Sequence, residues 1–150
     1  MGTQIIRPPT FQRPSGHLYL GTLQTNLMDG MSTLVLLDTI KADFKDGIEN
    51  IVTHRITPGK AGFYSVYGHI QFISIVADKC YTAYLKKSGG FAVENPNHAS
   101  FVHQIGVDAF TPCYYFSEID YVELWAKSES GTDEVDISTV HTRLIVQRVR

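Results

Sequence analysis

Ile56-Thr57-Pro58-Gly59-Lys60-Ala61-Gly62-Phe63-Tyr64-Ser65-Val66-Tyr67-Gly68-His69-Ile70-Gln71-Phe72 decides how this chain is read. Pro58-Gly59 is a turn signal, because proline fixes its own φ and glycine accepts backbone angles that side chains forbid. Gly62 is read as a second site of unusual backbone angles. From Phe63 to Ile75 the chain then runs as one long strand. Tyr64, Val66, Gly68, Ile70 and Phe72 occupy one face, and Phe63, Ser65, Tyr67, His69 and Gln71 the other. A strand in a sandwich with water outside shows one clean polar face. This strand carries aromatic and apolar groups on both, so its second face needs a cover. Identical copies around a threefold axis supply one without open-ended polymerisation.

Outward from this stretch, strands and turns continue in both directions. Leu18 to Gln24 reads as a short strand, Asn26 to Met31 as a turn, and Thr33 to Ala42 as a returning strand. Lys45-Asp46-Gly47 closes a tight connection, and Ile51 to Ile56 leads into Pro58. Tyr81 to Lys87 pairs back after Ala77-Asp78-Lys79, with Ser88-Gly89-Gly90 as a hairpin tip. Ser100 to Val107, Cys113 to Phe116, Tyr121 to Ser128 and Ser138 to Val149 complete the series. In Tyr121 to Lys127 the alternation puts Val122, Leu124 and Ala126 in the core and Tyr121, Glu123, Trp125 and Lys127 on the other face. No useful length shows helical periodicity. Short strands at even spacing mean an all-β sandwich or barrel.

Composition agrees. The chain has 150 residues, enough for one domain that needs no disulfide or metal to fold. Eight Tyr and eight Phe stand against a single Trp, which favours strands. A formal net charge of −2 excludes a broad nucleic-acid footprint. The longest aliphatic stretch, Leu34 to Leu37, is far short of the about 20 residues a helix needs to cross a bilayer, so no membrane contact is expected. Met1 to Ile6 fits neither a signal peptide nor a myristoylation site. Cys80 and Cys113 are too few for a disulfide scaffold and read as reduced, mostly buried thiols, with a loop-closing bridge as the alternative.

The long strand and two later stretches together resemble the tumour-necrosis-factor superfamily and its sister, the globular head of the first complement component. The later stretches are Asp120-Tyr121-Val122-Glu123-Leu124-Trp125, similar to the family's penultimate strand, and Thr142-Arg143-Leu144-Ile145-Val146-Gln147, similar to its last. The resemblance covers about residues 17 to 150 and implies a jelly-roll β-sandwich that assembles as a homotrimer. It further implies that Ser65, Tyr67 and His69 face a neighbour while Arg143, Ile145 and Gln147 approach the axis. Arg143 departs from the family, where small or apolar residues are usual. Three converging arginines repel, so each needs a carboxylate or a bound anion; a place on the outer rim is the alternative.

Residues 1 to 16 are set apart as an extended Pro-rich arm, since Arg7 to Pro14 holds three prolines. An ordered arm needs a partner surface to offset its entropy loss. Ile5, Ile6, Arg7, Phe11 and Arg13 are its anchoring candidates, on a capsid or fibre protein or on the chain's own trimer neighbour. Among carriers of such domains the sequence resembles those of bacterial viruses, in Val52 to Gly59 and in the closing Gln147-Arg148-Val149-Arg150. That implies a virion structural protein, assembled in the host cytoplasm, which reinforces the particle, binds a host surface glycan or protein, or does both. The alternative is a secreted or cell-surface trimeric ligand or carbohydrate-binding domain.

Catalytic patterns are missing. His17, His54, His69, His98, His103 and His141 include no H-x-H or H-E-x-x-H pair, and no metal or other cofactor is expected, although three copies of His69 on a threefold face offer a conceivable metal or anion site. Glu129, Asp133, Glu134 and Asp136 match no calcium loop and read as solvated turn charge. Asp108, Glu118 and Asp120 are carboxylates with no glycosidase pattern beyond their presence. Tyr114-Tyr115-Phe116 and Trp125 read as core before they read as a sugar platform. The polar connection from Gly89 to His103, with Asn95, Asn97 and His98, is the candidate recognition loop, because loops on a rigid sandwich carry contacts.

Overall fold

A computed structural model describes residues 15–42, 48–98 and 103–149. The arm candidates Ile5, Ile6, Arg7, Phe11 and Arg13, and the Lys45-Asp46-Gly47 turn, lie outside the described residues. The strands are β1 (Ser15–Tyr19), β2 (Gln24–Leu27), β3 (Ser32–Leu34), β4 (Thr39–Ala42), β5 (Ile48–Asn50), β6 (Arg55–Thr57), β7 (Gly62–Ile73), β8 (Cys80–Lys87), β9 (Gly90–His98), β10 (Gln104–Phe116), β11 (Val122–Glu129), β12 (Val135–Ile137) and β13 (Arg143–Arg148). No helix occurs among the described residues. Seven strands form one antiparallel sheet in the order β2-β12-β7-β13-β1-β4, with β10 also on β7. Six form the second, β5-β6-β11-β8-β9, with β3 also on β11. The two stacked sheets are the expected jelly roll.

The core follows from period-two alternation. From the seven-stranded sheet Leu18, Tyr64, Val66, Ile70, Phe72, Val107, Leu144 and Val146 point inward, each at most 1% exposed. Ile56, Tyr81, Ala83, Leu85, Val122, Leu124 and Ala126 meet them from the other sheet, again at most 1% exposed. The sheets approach so closely at Gly68 that a Cβ there would lie 2.5 Å from Leu124 Cδ1 and 3.1 Å from Leu85 Cδ2. A side chain at that position would have to push the two leucine side chains aside.

Several turns behave as the sequence implies. Ser88 and Gly89 both have positive φ (46° and 85°), which is the backbone of a two-residue hairpin turn between β8 and β9. At Pro58-Gly59 the left-handed residue is Gly59 (φ 74°), whereas Gly62, read as a second unusual position, is an ordinary strand residue paired with Phe116. Lys87 Nζ, Ser88 Oγ and the Ser117 amide all reach the Asp120 carboxylate at 2.8–2.9 Å, which ties the β8–β9 hairpin to the turn before β11. Burial acts to raise the pKa of the Asp120 carboxyl, but these donors outweigh it and hold the group well below the usual carboxylate range.

Other expectations need correction. Leu18 to Gln24 is not one strand, because β1 stops at Tyr19 and β2 starts at Gln24. The turn expected from Asn26 is shorter, since Asn26 and Leu27 belong to β2 and Met28 to Met31 make the turn, closed by the Met31 amide on the Met28 carbonyl at 3.2 Å. Thr33 to Ala42 divides between sheets, with β3 on β11 and β4 on β1. Val35 and Leu37 fill the core as the chain crosses, both 0% exposed. Ile51 to His54 is a turn. Residues 100–102 of the expected Ser100 to Val107 strand lie outside the described residues, and its remainder and Cys113 to Phe116 are not two strands: Gln104 to Phe116 is the single strand β10, bulged between Thr111 and Tyr114. That bulge leaves Cys113 exposed, against the expectation of burial, while Cys80 is half-buried and both thiols are unbridged. β1 begins at Ser15, inside the segment assigned to the arm.

Candidate functional site

The inward residues of β7 are fully buried, and its outward residues from Ser65 to Gln71 are half-buried, with Phe63 45% exposed. Strand register shows what surrounds them. β10 and β13 flank β7, and β1 lies beyond β13. Phe110, Tyr67, Ile145 and His17 therefore form one row across the outer face, and Asp108, His69, Arg143 and Tyr19 form the next. On the other side of the first row Ser65 pairs with Gln147, and Phe63 pairs with Tyr115. All six interface residues expected from the resemblance, Ser65, Tyr67, His69, Arg143, Ile145 and Gln147, are thus brought together on one patch of one sheet.

The patch has an apolar and a polar half. Phe63 and Tyr115 meet edge to face with ring centroids 5.5 Å apart. Phe110 remains 54% exposed and Tyr115 50%. An aromatic strip therefore runs along β7 and β10 on the side of the sheet that no other described strand covers. In the polar half, Tyr67 Oη donates to Asp108 Oδ1 at 2.7 Å, and His69 Nδ1 lies 2.6 Å from the same oxygen. The Arg143 guanidinium stands 5.6 Å over the Tyr67 ring, and its charge acts on Asp108. Asp108, two strands away, is the carboxylate on which the charge of Arg143 acts within one chain.

Burial raises Tyr67 and Asp108 alike, but their outcomes differ. The hydrogen bond to Asp108 pushes the Tyr67 hydroxyl further up. The Asp108 carboxyl ends below its ordinary value, because the donors on Tyr67 and His69 and the charge of Arg143 outweigh its burial. Gly106 completes the arrangement. A Cβ there would lie 2.8 Å from His69 Cε1 and 3.2 Å from Nε2, so the absence of a side chain makes room for the imidazole.

The sequence places Phe63 on this face by alternation along β7, but it does not single out Phe110, Tyr115 and Asp108. The alternation along β10 carries part of the signal, since Val107 and Ala109 are inward and Asp108 and Phe110 outward. The pairing of β10 with β7 is long-range, and no local pattern gives it.

Other candidate groups are dispersed. Asn95, Asn97 and His98 are not in a loop; they stand on β9, an edge strand opposite Ala83, Tyr81 and Cys80. Pro96 is compatible with an edge, where a missing amide donor does least harm. Trp125 belongs to the outer face of the second sheet, where Lys86 Nζ lies 3.5 Å from its ring centroid and Glu123 accepts its indole N–H at 3.0 Å. Phe116 is buried and Tyr114 packs on the core, so the Tyr114-Tyr115-Phe116 run contributes only Tyr115 to the surface. Asp120 is engaged at the hairpin clamp, well apart in the fold from Asp108 on the sheet face. No group of three or more metal-ligating side chains is found among the described residues.

No family model matches the chain, and no curated protein does. Solved structures do match over nearly its whole length. The Eiger TNF structure from S. frugiperda superposes with a TM-score of 0.70 at 9% identity, covering 92% of this chain and 94% of that one. Murine APRIL at pH 5.0 gives 0.63 at 9% identity, over 92% and 100%. The globular domain of zebrafish complement 1qA gives 0.63 at 12% identity, over 93% and 98%. At these identities the likeness establishes a shared architecture, the jelly roll of TNF and complement heads.

Proposed function

We propose that this chain is a non-enzymatic recognition head that works as a homotrimer, with the outer face of the seven-stranded sheet buried between copies. One observation carries the reading. The same strands that build a complete core on their inner side leave Phe63, Phe110 and Tyr115, three large aromatic side chains, about half uncovered on the outer side. An apolar patch rimmed by polar groups marks an interaction surface, and its mixture of Phe, Tyr and Arg suits an interface core. The likeness to TNF and complement heads supports a threefold arrangement.

The reading is tested by native mass spectrometry and tyrosine modification on the full chain. A trimer in which Tyr67 is protected from nitration supports it, and a monomer with reactive Tyr67 contradicts it.

Within this reading, the head is part of a virion, docked to a capsid or fibre protein through Ile5, Ile6, Arg7, Phe11 and Arg13. β1 starts at Ser15 opposite Gln147, so the first described strand begins at the end of the sandwich where β13 finishes. A host surface glycan or protein is the further partner of this reading. Deleting residues 1 to 14 should leave an intact trimer that no longer joins particles; undiminished incorporation would remove the docking role. The alternative is a secreted or cell-surface trimeric ligand or lectin, and export of the chain from its producing cell would favour it.

A further inference from the structure

Resting on the trimer reading above, the structure assigns His69 a second role: we propose that the Tyr67–Asp108–His69–Arg143 network makes the trimer sensitive to acid, holding it together when His69 is neutral and loosening it when His69 is protonated.

The charges in the network explain why. Asp108 and Arg143 carry one negative and one positive charge, and a neutral His69 leaves each copy balanced. The single proton of a neutral imidazole belongs on Nδ1, because Asp108 Oδ1 lies 2.6 Å away and is an acceptor only. The second ring nitrogen, Nε2, sits over Gly106 and is the atom that takes up the next proton. Protonation there gives each copy one uncompensated positive charge, and a closed trimer gathers three of them on faces pressed together. Asp108 cannot compensate further, since its carboxyl is already ionised and held below its ordinary range.

Arg143 is held within its own copy, with the Tyr67 ring 5.6 Å from its guanidinium and the charge of Asp108 acting on it.

Among the described residues, the groups facing His69 are few. On β7 itself they are Tyr67 and the uncharged Gln71. Asp108 faces it from β10 and Arg143 from β13. Farther out on the same face, Tyr19 pairs with Arg143 and His17 with Ile145 on β1, while Asp136 pairs with Ile73 and His103 precedes Gln104 at the far end of β7. His17 and His103 are the other histidines toward this face, so the test must separate them from His69.

Sedimentation equilibrium of the full chain at pH 7.5 and 5.5, at fixed ionic strength, does so with three proteins. For the wild type the trimer association constant should fall by about tenfold or more in acid. His69→Gln keeps a donor near Asp108 and should show no such fall. Arg143→Gln leaves each copy with a net negative network that protonation neutralises, so its trimer should become tighter in acid, the reverse of wild type. This second variant keeps the test decisive even if His69→Gln folds poorly. A wild-type trimer of equal strength at both pH values overturns the proposal and leaves the trimer intact. A full wild-type response in His69→Gln also overturns it, by assigning the effect to His17 or His103. A monomer at both pH values overturns the trimer reading and this role with it.

Discussion

Replacing Phe110 by serine should dissolve the assembly while leaving the fold in place. Phe110 stands on β10 directly across from Tyr67, with 54% of its surface uncovered in one chain. Aromatic side chains bury roughly 150–250 Å² when enclosed, so the uncovered part is on the order of 100 Å². At about 25 cal/mol per Å², covering it stabilises the assembly by about 2–3 kcal/mol per copy. A closed trimer counts this three times, and after ordering and desolvation costs about 4–6 kcal/mol remains at stake. Because every 1.4 kcal/mol is tenfold, the trimer association constant should drop by about three orders of magnitude or more. The intrinsic stability of the monomer should change by less than about 1 kcal/mol, because surface substitutions rarely do more. Sedimentation velocity across a concentration series reads the first quantity, and denaturant unfolding at low concentration reads the second. An unchanged association constant would refute the reasoning, since Phe110 would then face water in the assembled state too. A large loss of monomer stability would refute it in another way, by putting Phe110 in the core.

Gly68→Ala should lower the melting temperature by several degrees, reflecting about 1–3 kcal/mol of overpacking against the buried Leu124 and Leu85 side chains; in combination with Leu124→Ala the losses should be less than additive, and a neutral Gly68→Ala would mean that the sheets stand farther apart. Asp120→Asn should destabilise the fold at neutral pH by about 1–2 kcal/mol through the weakened clamp to Lys87 and Ser88. Because the folded-state pKa of Asp120 is depressed, its contribution is complete above the unfolded value of about 3.9 and is lost as pH falls toward the folded one. The gap between wild type and Asp120→Asn should therefore close below about pH 4 in denaturant titrations, and a gap that widens in acid would contradict the assignment. Thiol titration of the unfolded chain without reductant should find both Cys80 and Cys113 reactive, whereas no reaction before reduction would reveal a bridge.

Much of the sandwich is legible in the chain itself because β7 and β11 alternate cleanly, and alternation is a local property. That pattern alone puts Val122, Leu124 and Ala126 in the core, and each is at most 1% exposed. Where strands are short, local signals compete and lose. Val135 and Ile137 alternate as β12 and are 0% exposed, but the surrounding Asp133, Glu134 and Asp136 read as a solvated turn. Asn95 to His98 has the composition of a loop, yet it pairs along β8 as an edge strand, where tertiary context overrides propensity. Leu34 to Leu37 is uniformly apolar, so nothing in it announces the crossing from one sheet to the other. The candidate site divides in the same way. Tyr67 and His69 share a face by simple parity along β7. Asp108 and Phe110 join them only through the pairing of β10 with β7, which bridges about 40 residues of sequence.

Threefold assembly through this sheet face is the claim on which the remaining inferences depend. Sedimentation equilibrium of the intact protein at micromolar concentration and neutral pH measures it directly. The expected mass is about 50 kDa, three times the 16.8 kDa of one chain. A single species at 16.8 kDa, with Tyr67 and Phe110 open to solvent, would contradict it.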